Sequence, residues 1–174
     1  MEITFKVVER ADTDLLITFI QEFYEYDHHP YDEDRVQPTL ARLLEDKNLG
    51  GIWLIQADNK NIGYIILTWG YSLEYYGRDA FIDELYIRES YRGQGIGLKA
   101  IAFAEETARS FGVNALHLEV ERENSKAQSF YRKTGFEDQN SYLMTKWIRK
   151  WTVTRLSRKL EIRNKNSETS GIAF

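Results

Sequence analysis

Three glycines at alternate positions follow an arginine near the middle of the chain. They lie in the stretch YRGQGIG, Tyr91 to Gly97, between the apolar run 80–87 and an amphipathic run from Ile96 to Phe111. This order predicts a strand, a glycine-rich turn and a helix. Glycines leave backbone N–H groups accessible, and a helix start adds unpaired N–H groups and the positive end of its dipole. The segment is therefore predicted to bind a phosphate-bearing ligand, with the Arg92 guanidinium beside the bare amides.

Other phosphate-binding loops fit this spacing less well. A P-loop ends in Gly-Lys-Ser/Thr, whereas Gly97 is followed by Leu98 and Lys99. A dinucleotide fold has G-x-G-x-x-G and an acidic residue about twenty positions later. Glu119 lies near that position, but the glycines here run G-x-G-x-G and follow a predicted antiparallel meander. A turn that only joins a strand to a helix is the remaining alternative, and Arg92 makes it less favourable.

With Arg92 included, the string R-x-x-G-x-G resembles the acyl-CoA pyrophosphate loop of the GNAT superfamily of N-acetyltransferases. Downstream, the segment NSKAQSFYRKTGF, Asn124 to Phe136, resembles the second signature of that superfamily, an Asn-led helix with a Phe-Tyr pair that ends at Gly-Phe. The two motifs occur in the family order. The resemblance implies an acetyltransferase domain over residues 1–148. Residues 149–174 depart from the family pattern, and their basic and then polar composition without a clear period predicts a flexible extension.

The predicted elements place the glycine-rich loop after an antiparallel meander. Alternating or continuous apolar runs predict strands at 3–8, 52–56, 62–71, 80–87, 115–120 and 142–147, with a further strand near Phe136. Helical periodicity predicts helices that begin at Asp12, Pro38, Ile96 and Ser125, the last with a capping box from Ser125 and Gln128. This order predicts a mixed α/β fold: a GNAT-like three-layer sandwich with a central, mostly antiparallel mixed sheet of six to seven strands, flanked by about four helices.

The resemblance implies acetyl-CoA as the acyl donor and assigns residues to it. The loop and the central strand are expected to contact its pyrophosphate and pantetheine arm, together with the start of the last helix. These cofactor-binding residues are Leu85, Tyr86, Ile87, Arg92, Gly93, Gln94, Gly95, Ile96, Gly97, Asn124 and Ala127. No metal is expected, because the adjacent His28 and His29 lack a spaced third ligand.

Acetyl transfer from a thioester to an amine requires a group that takes up a proton, because a lysine-like ammonium titrates near 10. Glu84, in the predicted central strand, is the candidate, either as general base or only as a binding group for a cationic substrate. Tyr131 resembles the general acid of the family, which hydrogen-bonds the leaving sulfur; its alternative is core packing. By the same analogy, a backbone N–H at or near Ile87 stabilises the oxyanion.

The resemblance implies that the acceptor site is formed in part by residues 23–34 and 69–79, and both segments are rich in tyrosines and carboxylates. Such a lining suits an ammonium ion, and the candidate substrate-binding residues are Tyr26, Asp27, Tyr71 and Glu84. The predicted function is direct transfer of an acetyl group from acetyl-CoA to a primary amine of a small cationic acceptor (polyamine, amino acid or aminoglycoside) or to a lysine side chain. The stretch ELYIRESYRGQGIG has some likeness to spermidine/spermine acetyltransferases. The alternative is a non-catalytic acyl-CoA-binding or regulatory module on the same fold.

Composition agrees with one cytoplasmic domain. The chain has 174 residues, of which 43% are hydrophobic, and a net charge of −4. Residues 149–174 are basic, so the remainder is markedly acidic, a balance that favours cationic ligands and disfavours nucleic acid. No apolar run has membrane length, and the first residues resemble neither a signal nor a transit peptide. The chain has no cysteine, so transfer is expected to be direct or to use another nucleophile. Many relatives form homodimers, and a homodimer is therefore allowed.

Overall fold

Five strands form one mixed sheet in the computed structural model, which describes residues 1–141 and 143–148. The strands are β1 (Ile3–Val7), β2 (Gly50–Ala57), β3 (Lys60–Ser72), β4 (Gly77–Ile87) and β5 (Val113–His117), and they lie side by side in that order. The first four are antiparallel, whereas β5 pairs parallel with β4 after a helical crossover.

Four helices cover the two faces of the sheet. They are α1 (Thr13–Tyr26), α2 (Glu33–Glu45), α3 (Ile96–Ser110) and α4 (Ser125–Lys133). The first two pack with one face of the sheet in a core cluster that contains Phe19, Leu40 and Tyr64. The other two pack on the opposite face with Ile65, Leu85 and Ile101, among others. The predicted three-layer arrangement is therefore present. None of the described helices combines the length and the apolar character needed to cross a membrane.

Local sequence explains the helices and the tight hairpin. The apolar side chains of α1 recur at helical spacing and are buried: Leu16, Phe19, Ile20 and Phe23. Small residues at Ala100, Ala104 and Ala108 form the buried stripe of α3. Between β2 and β3, Asp58 and Asn59 both have positive φ, 46° and 64°, as a two-residue hairpin turn requires.

The predicted sheet of six to seven strands is not confirmed, because the described residues form five. Of the predicted last strand, Tyr142 lies outside the described residues, and 143–147 form no strand. The segment near Phe136 also forms no strand. The strand predicted at 115–120 begins earlier and ends earlier, at Val113 and His117.

The helix predicted to begin at Pro38 begins at Glu33 instead. Pro38 lies inside α2, where its ring removes one backbone donor. The side chain of Val36, in the turn before the proline, packs on the same core as Leu40 and Leu43. This packing explains why the helix continues through the proline on its N-terminal side.

The central strand β4 contains a bulge at Asp83. Ile82 pairs with Leu67 and Glu84 pairs with Ile66, so Asp83 is an extra residue that has no partner of its own on β3. Ile82 and Leu85 consequently belong to the core beneath α3 and α4, although their odd separation would place them on opposite faces of a regular strand. The bulge thus turns Glu84 to the face covered by α1 and α2.

Candidate active site

A cleft of about 720 Å³ lies where α3 and α4 begin, next to the end of β4. Gly93 and Gly95 adopt the left-handed conformation, with φ of 74° and 77°. An added Cβ at either glycine would meet no atom within 4 Å, so both backbones face open space. Gly95 is also the N-cap of α3. The loop therefore presents backbone N–H groups and a helix N-terminus to the cleft, an arrangement suited to a phosphate group.

The Arg92 side chain is held by a hydrogen bond to the backbone and by contacts with two aromatic rings. Its Nε donates a hydrogen bond to the Ile87 carbonyl oxygen at 2.7 Å. Its guanidinium carbon lies 4.2 Å from the centroid of the Tyr26 ring and 5.9 Å from that of Tyr86. Gln94 has a mainly local role, because its side-chain amide donates to the Ser90 carbonyl oxygen at 3.2 Å. Arg92 is the residue of the loop best placed for a diphosphate.

The N-terminus of α4 forms the other wall of the cleft. The Asn124 side chain accepts a hydrogen bond from the Ala127 N–H at 3.0 Å and so caps this helix. The predicted capping box of Ser125 and Gln128 is wrong: the Gln128 amide instead donates to the Glu121 and Arg122 carbonyl oxygens. Ala127 is buried and lines the cleft. Its short side chain leaves room for a ligand between the two helix starts.

The edge of β4 that faces β5 is only half paired. The parallel pairing joins residues 78–81 of β4 to residues 113–117 of β5 and ends at Phe81 and His117. A Cβ on Gly63 would collide with the Tyr86 carbonyl oxygen, so that carbonyl points toward β3. Because peptide groups alternate along a strand, those of Leu85 and Ile87 point the other way, toward the gap. The Ile87 carbonyl oxygen accepts the hydrogen bond from Arg92, so the Leu85 peptide group and the Ile87 N–H remain available to a ligand in this gap.

Glu84 lies between two tyrosine hydroxyls on the α1 side of the sheet. The Tyr24 hydroxyl donates to one carboxyl oxygen at 3.0 Å, and the Tyr64 hydroxyl donates to the other at 2.6 Å. Burial raises the pKa of Glu84 to about 7, although the two hydrogen bonds oppose this rise. A carboxyl group with a pKa near 7 is suited to accept a proton at neutral pH. Asp83, the bulged neighbour, is exposed.

The end of α1 brings further polar groups toward Glu84. Asp27 accepts a hydrogen bond from His29 at 2.8 Å. This bond raises the pKa of His29, and the negative charges of Asp27, Glu121 and Glu84 act in the same direction. The second Asp27 carboxyl oxygen is buried and has no hydrogen-bond partner among the described residues. The site thus contains several carboxylates and one histidine, a lining that suits a cation.

Two predicted site residues lie apart from these groups. Tyr131 is 2% exposed and packs against the rings of Phe130 and Phe136. It borders a second cavity of about 400 Å³ on the other side of α4, while Phe130 lines the cleft. Tyr71 is 78% exposed and lies five residues beyond Ile66, roughly 17 Å along β3 from the position that pairs with Glu84.

Two residues of the site were not predicted from the sequence, Tyr24 and Tyr64. Tyr64 lies in the continuously buried run 62–67 of β3, where the sequence does not distinguish its hydroxyl from ordinary core packing. The strand that carries the bulge has an irregular sequence pattern. In AFIDELYI, the Asp-Glu pair separates two apolar triplets, 80–82 and 85–87, and this is not the strict alternation of a regular half-buried strand.

We expect Glu84→Gln to stabilise the protein at alkaline pH. The folded state holds the Glu84 proton more tightly than the unfolded state, whose pKa is near 4.5, so the wild type loses stability as the pH rises from 4.5 through about 7. The variant should exceed the wild type in free energy of unfolding by about 2 kcal/mol at pH 8.5 and by much less at pH 5. Urea unfolding at both values measures the difference, with Glu25→Gln as a control for net charge. A gap that is the same at both pH values would contradict the raised pKa.

Comparison with known proteins relates this geometry to a family. Over 77 residues the chain is 35% identical to thialysine N-epsilon-acetyltransferase of Bos taurus, a stretch that covers 44% of this chain and 45% of that protein. Over 148 residues it is 25% identical to an uncharacterized N-acetyltransferase of Methanocaldococcus jannaschii, covering 84% of this chain and 65% of that one. The chain therefore spans less than two thirds of the length of either relative.

Solved structures share the fold. An integron cassette protein from the mobile metagenome of Cole Harbour Salt Marsh has a TM-score of 0.74 and 29% identity, with 84% of this chain and 91% of that chain covered. The aminoglycoside N-acetyltransferase AAC(6')-Iy, solved in complex with CoA, has a TM-score of 0.70 and 13% identity, with 84% and 95% covered. A profile of the Acetyltransferase (GNAT) family matches residues 14–136, which include both motifs, β4 and the end of α1. The chain belongs to the GNAT family of acetyltransferases.

Proposed function

We propose that the chain transfers the acetyl group of acetyl-CoA directly to a primary amine, either of a small cationic acceptor or of a lysine side chain. The observation that carries the proposal is Glu84, a carboxyl group with a pKa of about 7 held by two tyrosines on the strand that borders the phosphate cleft. The names of relatives that act on thialysine and on aminoglycosides support an amine acceptor.

The cleft fits the donor. Arg92, the bare amides at Gly93 and Gly95, and the start of α4 would hold the pyrophosphate. The Leu85 peptide group and the Ile87 N–H would hold the pantetheine arm, while the Ile87 carbonyl oxygen accepts from Arg92. When bound, acetyl-CoA supplies the acetyl group as a thioester; the C–N bond of the amide forms as the C–S bond breaks.

Glu84 acts as the proton acceptor for the amine. An ammonium group has no lone pair for attack, and an ionised Glu84 takes up its proton. A carboxyl group with a normal pKa near 4.5 would be a weak acceptor for a proton from an ammonium group with a pKa near 10. The raised pKa of Glu84 lowers the free-energy cost of this proton transfer by roughly 3 kcal/mol. The hydrogen bonds from Tyr24 and Tyr64 fix the orientation of the carboxylate while they partly limit the rise in its pKa.

The acceptor is bound on the α1 side of the sheet. Glu84 and Asp27 give this region a negative charge, and the buried Asp27 oxygen without a described partner can accept a hydrogen bond from an ammonium group. Tyr24 contributes an aromatic ring. Tyr71 is left out of this proposal because of its distance from Glu84 along β3.

Tyr131 is proposed to hydrogen-bond the leaving sulfur. Burial raises its pKa, so the phenol stays protonated at neutral pH and can act as a donor. It belongs to the same core cluster as Leu85 and Ile87, the residues proposed to bind the pantetheine arm.

We expect Tyr131→Phe to lower kcat roughly 10- to 100-fold, because the variant keeps the ring packing but removes the donor. The dissociation constant for CoA should stay within about twofold of the wild-type value, since the hydroxyl does not line the phosphate cleft. Steady-state kinetics and calorimetry measure the two quantities. Equal turnover of variant and wild type would leave Tyr131 with a packing role only.

The proposed acetyltransferase domain comprises residues 1–148. The family profile ends at residue 136, within this range. Residues 149–174 lie outside the described residues. Their basic charge is known from the sequence alone.

Release of free CoA from acetyl-CoA tests the function. The purified protein is incubated with a panel of polyamines, amino acids, aminoglycosides and lysine peptides, and binding of acetyl-CoA is titrated by calorimetry in parallel. Amine-dependent release together with binding would support the acetyltransferase. Binding without release for any amine would favour the non-catalytic acyl-CoA-binding module, and no binding would contradict both.

A further inference from the structure

Tyr26, predicted from the sequence to bind the acceptor, lies at the phosphate cleft. It is the last residue of α1, it is 45% exposed, and it lines the cleft. The Arg92 guanidinium lies over this ring, 4.2 Å from its centroid. This separation is within the range of a cation–π contact.

The Arg92 side chain is thereby oriented before any ligand binds. The Ile87 carbonyl oxygen accepts from its Nε, and the Tyr26 ring covers one face of the guanidinium plane. In the described part of the chain, the Nη groups of Arg92 donate to no protein acceptor. Two fixed contacts thus leave the end of the guanidinium available for a ligand oxygen. An arginine restrained in this way loses less side-chain freedom on binding than a freely rotating one.

We propose that Tyr26 is a positioning residue for the donor phosphates, which acts through Arg92. The inference rests on the donor site of the proposed function and adds a residue of α1 to that site. It also connects the donor site to the site around Glu84. The same helix turn carries Tyr24, whose hydroxyl holds Glu84, and Tyr26, whose ring holds Arg92.

The test compares Tyr26→Leu with Tyr26→Phe, which keeps the ring and loses only the hydroxyl. Tyr26→Leu should weaken CoA binding about 5- to 10-fold in calorimetry, and Tyr26→Phe should stay within about twofold of the wild type. The kcat/KM for acetyl-CoA should fall with the Leu variant, whereas that for S-acetylpantetheine, which has no phosphates, should not change. Tyr71→Leu, at an exposed tyrosine away from the cleft, is the matched control and should bind CoA normally.

A double-mutant cycle with Arg92→Gln tests whether Tyr26 affects CoA affinity through Arg92. In the Arg92→Gln background, Tyr26→Leu should have almost no further effect on CoA affinity. Equal CoA affinity of wild type and Tyr26→Leu would overturn the inference, as would an undiminished loss in the Arg92→Gln background. An increase in KM for the amine alone would return Tyr26 to the acceptor site and also overturn it. Failure of the wild type to bind CoA is a separate result, which contradicts the proposed function itself.

Discussion

Replacement of Glu84 by glutamine is expected to lower kcat for acetyl transfer about 10²- to 10³-fold at pH 8. The glutamine amide keeps the shape of the side chain and can still accept a hydrogen bond from one of the two tyrosines, but it cannot take up a proton. CoA affinity should be unchanged, because Glu84 does not line the phosphate cleft. Initial rates of CoA release at saturating acetyl-CoA, with the best acceptor of the panel, measure the loss.

Asp83→Asn is the matched control for this loss. Asp83 is adjacent on the same strand, but it is the bulged residue and is exposed. Its replacement should lower kcat by less than about tenfold, since it changes only the nearby charge. The reverse pattern, a large loss for Asp83→Asn and near-normal turnover for Glu84→Gln, would assign the proton acceptor to Asp83 and refute the role proposed for Glu84.

Gly95→Val is expected to weaken CoA binding by a factor of about 100 or more. The position has φ of 77° and lines the cleft, so a side chain there is strained and also covers the N–H groups that a phosphate must approach. Loss of two hydrogen bonds to a charged group is sufficient for this factor, at about 1.5 kcal/mol or more for each. Calorimetric titration with CoA measures the change.

Gly112→Val is the control that distinguishes loss of the phosphate site from the general effect of backbone strain. Gly112 follows the other end of α3, has φ of 71° and likewise has no atom within 4 Å of an added Cβ. Both variants should lose similar stability, about 1 to 3 kcal/mol, because both place a branched side chain in a left-handed backbone. Only Gly95→Val should lose CoA. Equal loss of CoA affinity in the two variants, at equal stability, would show that a general loss of structure explains the effect.

The parts of the site with a local backbone requirement were predictable from the sequence. A left-handed turn before a helix needs glycine, and the loop at Gly93 and Gly95 is observed as predicted. The predicted helices α1, α3 and α4 are also present, because each carries its own periodicity and end signals.

The parts that depend on contacts between distant segments were not predictable. Glu84 meets Tyr24 and Tyr64 only because a bulge turns one part of β4, and these partners lie 60 and 20 residues away in the chain. The sequence predicts Tyr26 as an acceptor residue, and its contact with Arg92 becomes visible only in the folded chain. The sixth and seventh strands expected from the strand pattern are not confirmed, because the described residues near Phe136 and over 143–147 do not pair with the sheet.

The pH dependence of kcat/KM tests the central claim, that Glu84 takes up the proton of the amine, most directly. For the wild type, kcat/KM should rise with pH with a midpoint near 7 as Glu84 ionises, well below the pKa near 10 of the amine itself. The Glu84→Gln variant should lack that rise and retain only the dependence due to the amine. The same rise near pH 7 in the variant, or its absence in the wild type, would contradict the proposed role of Glu84.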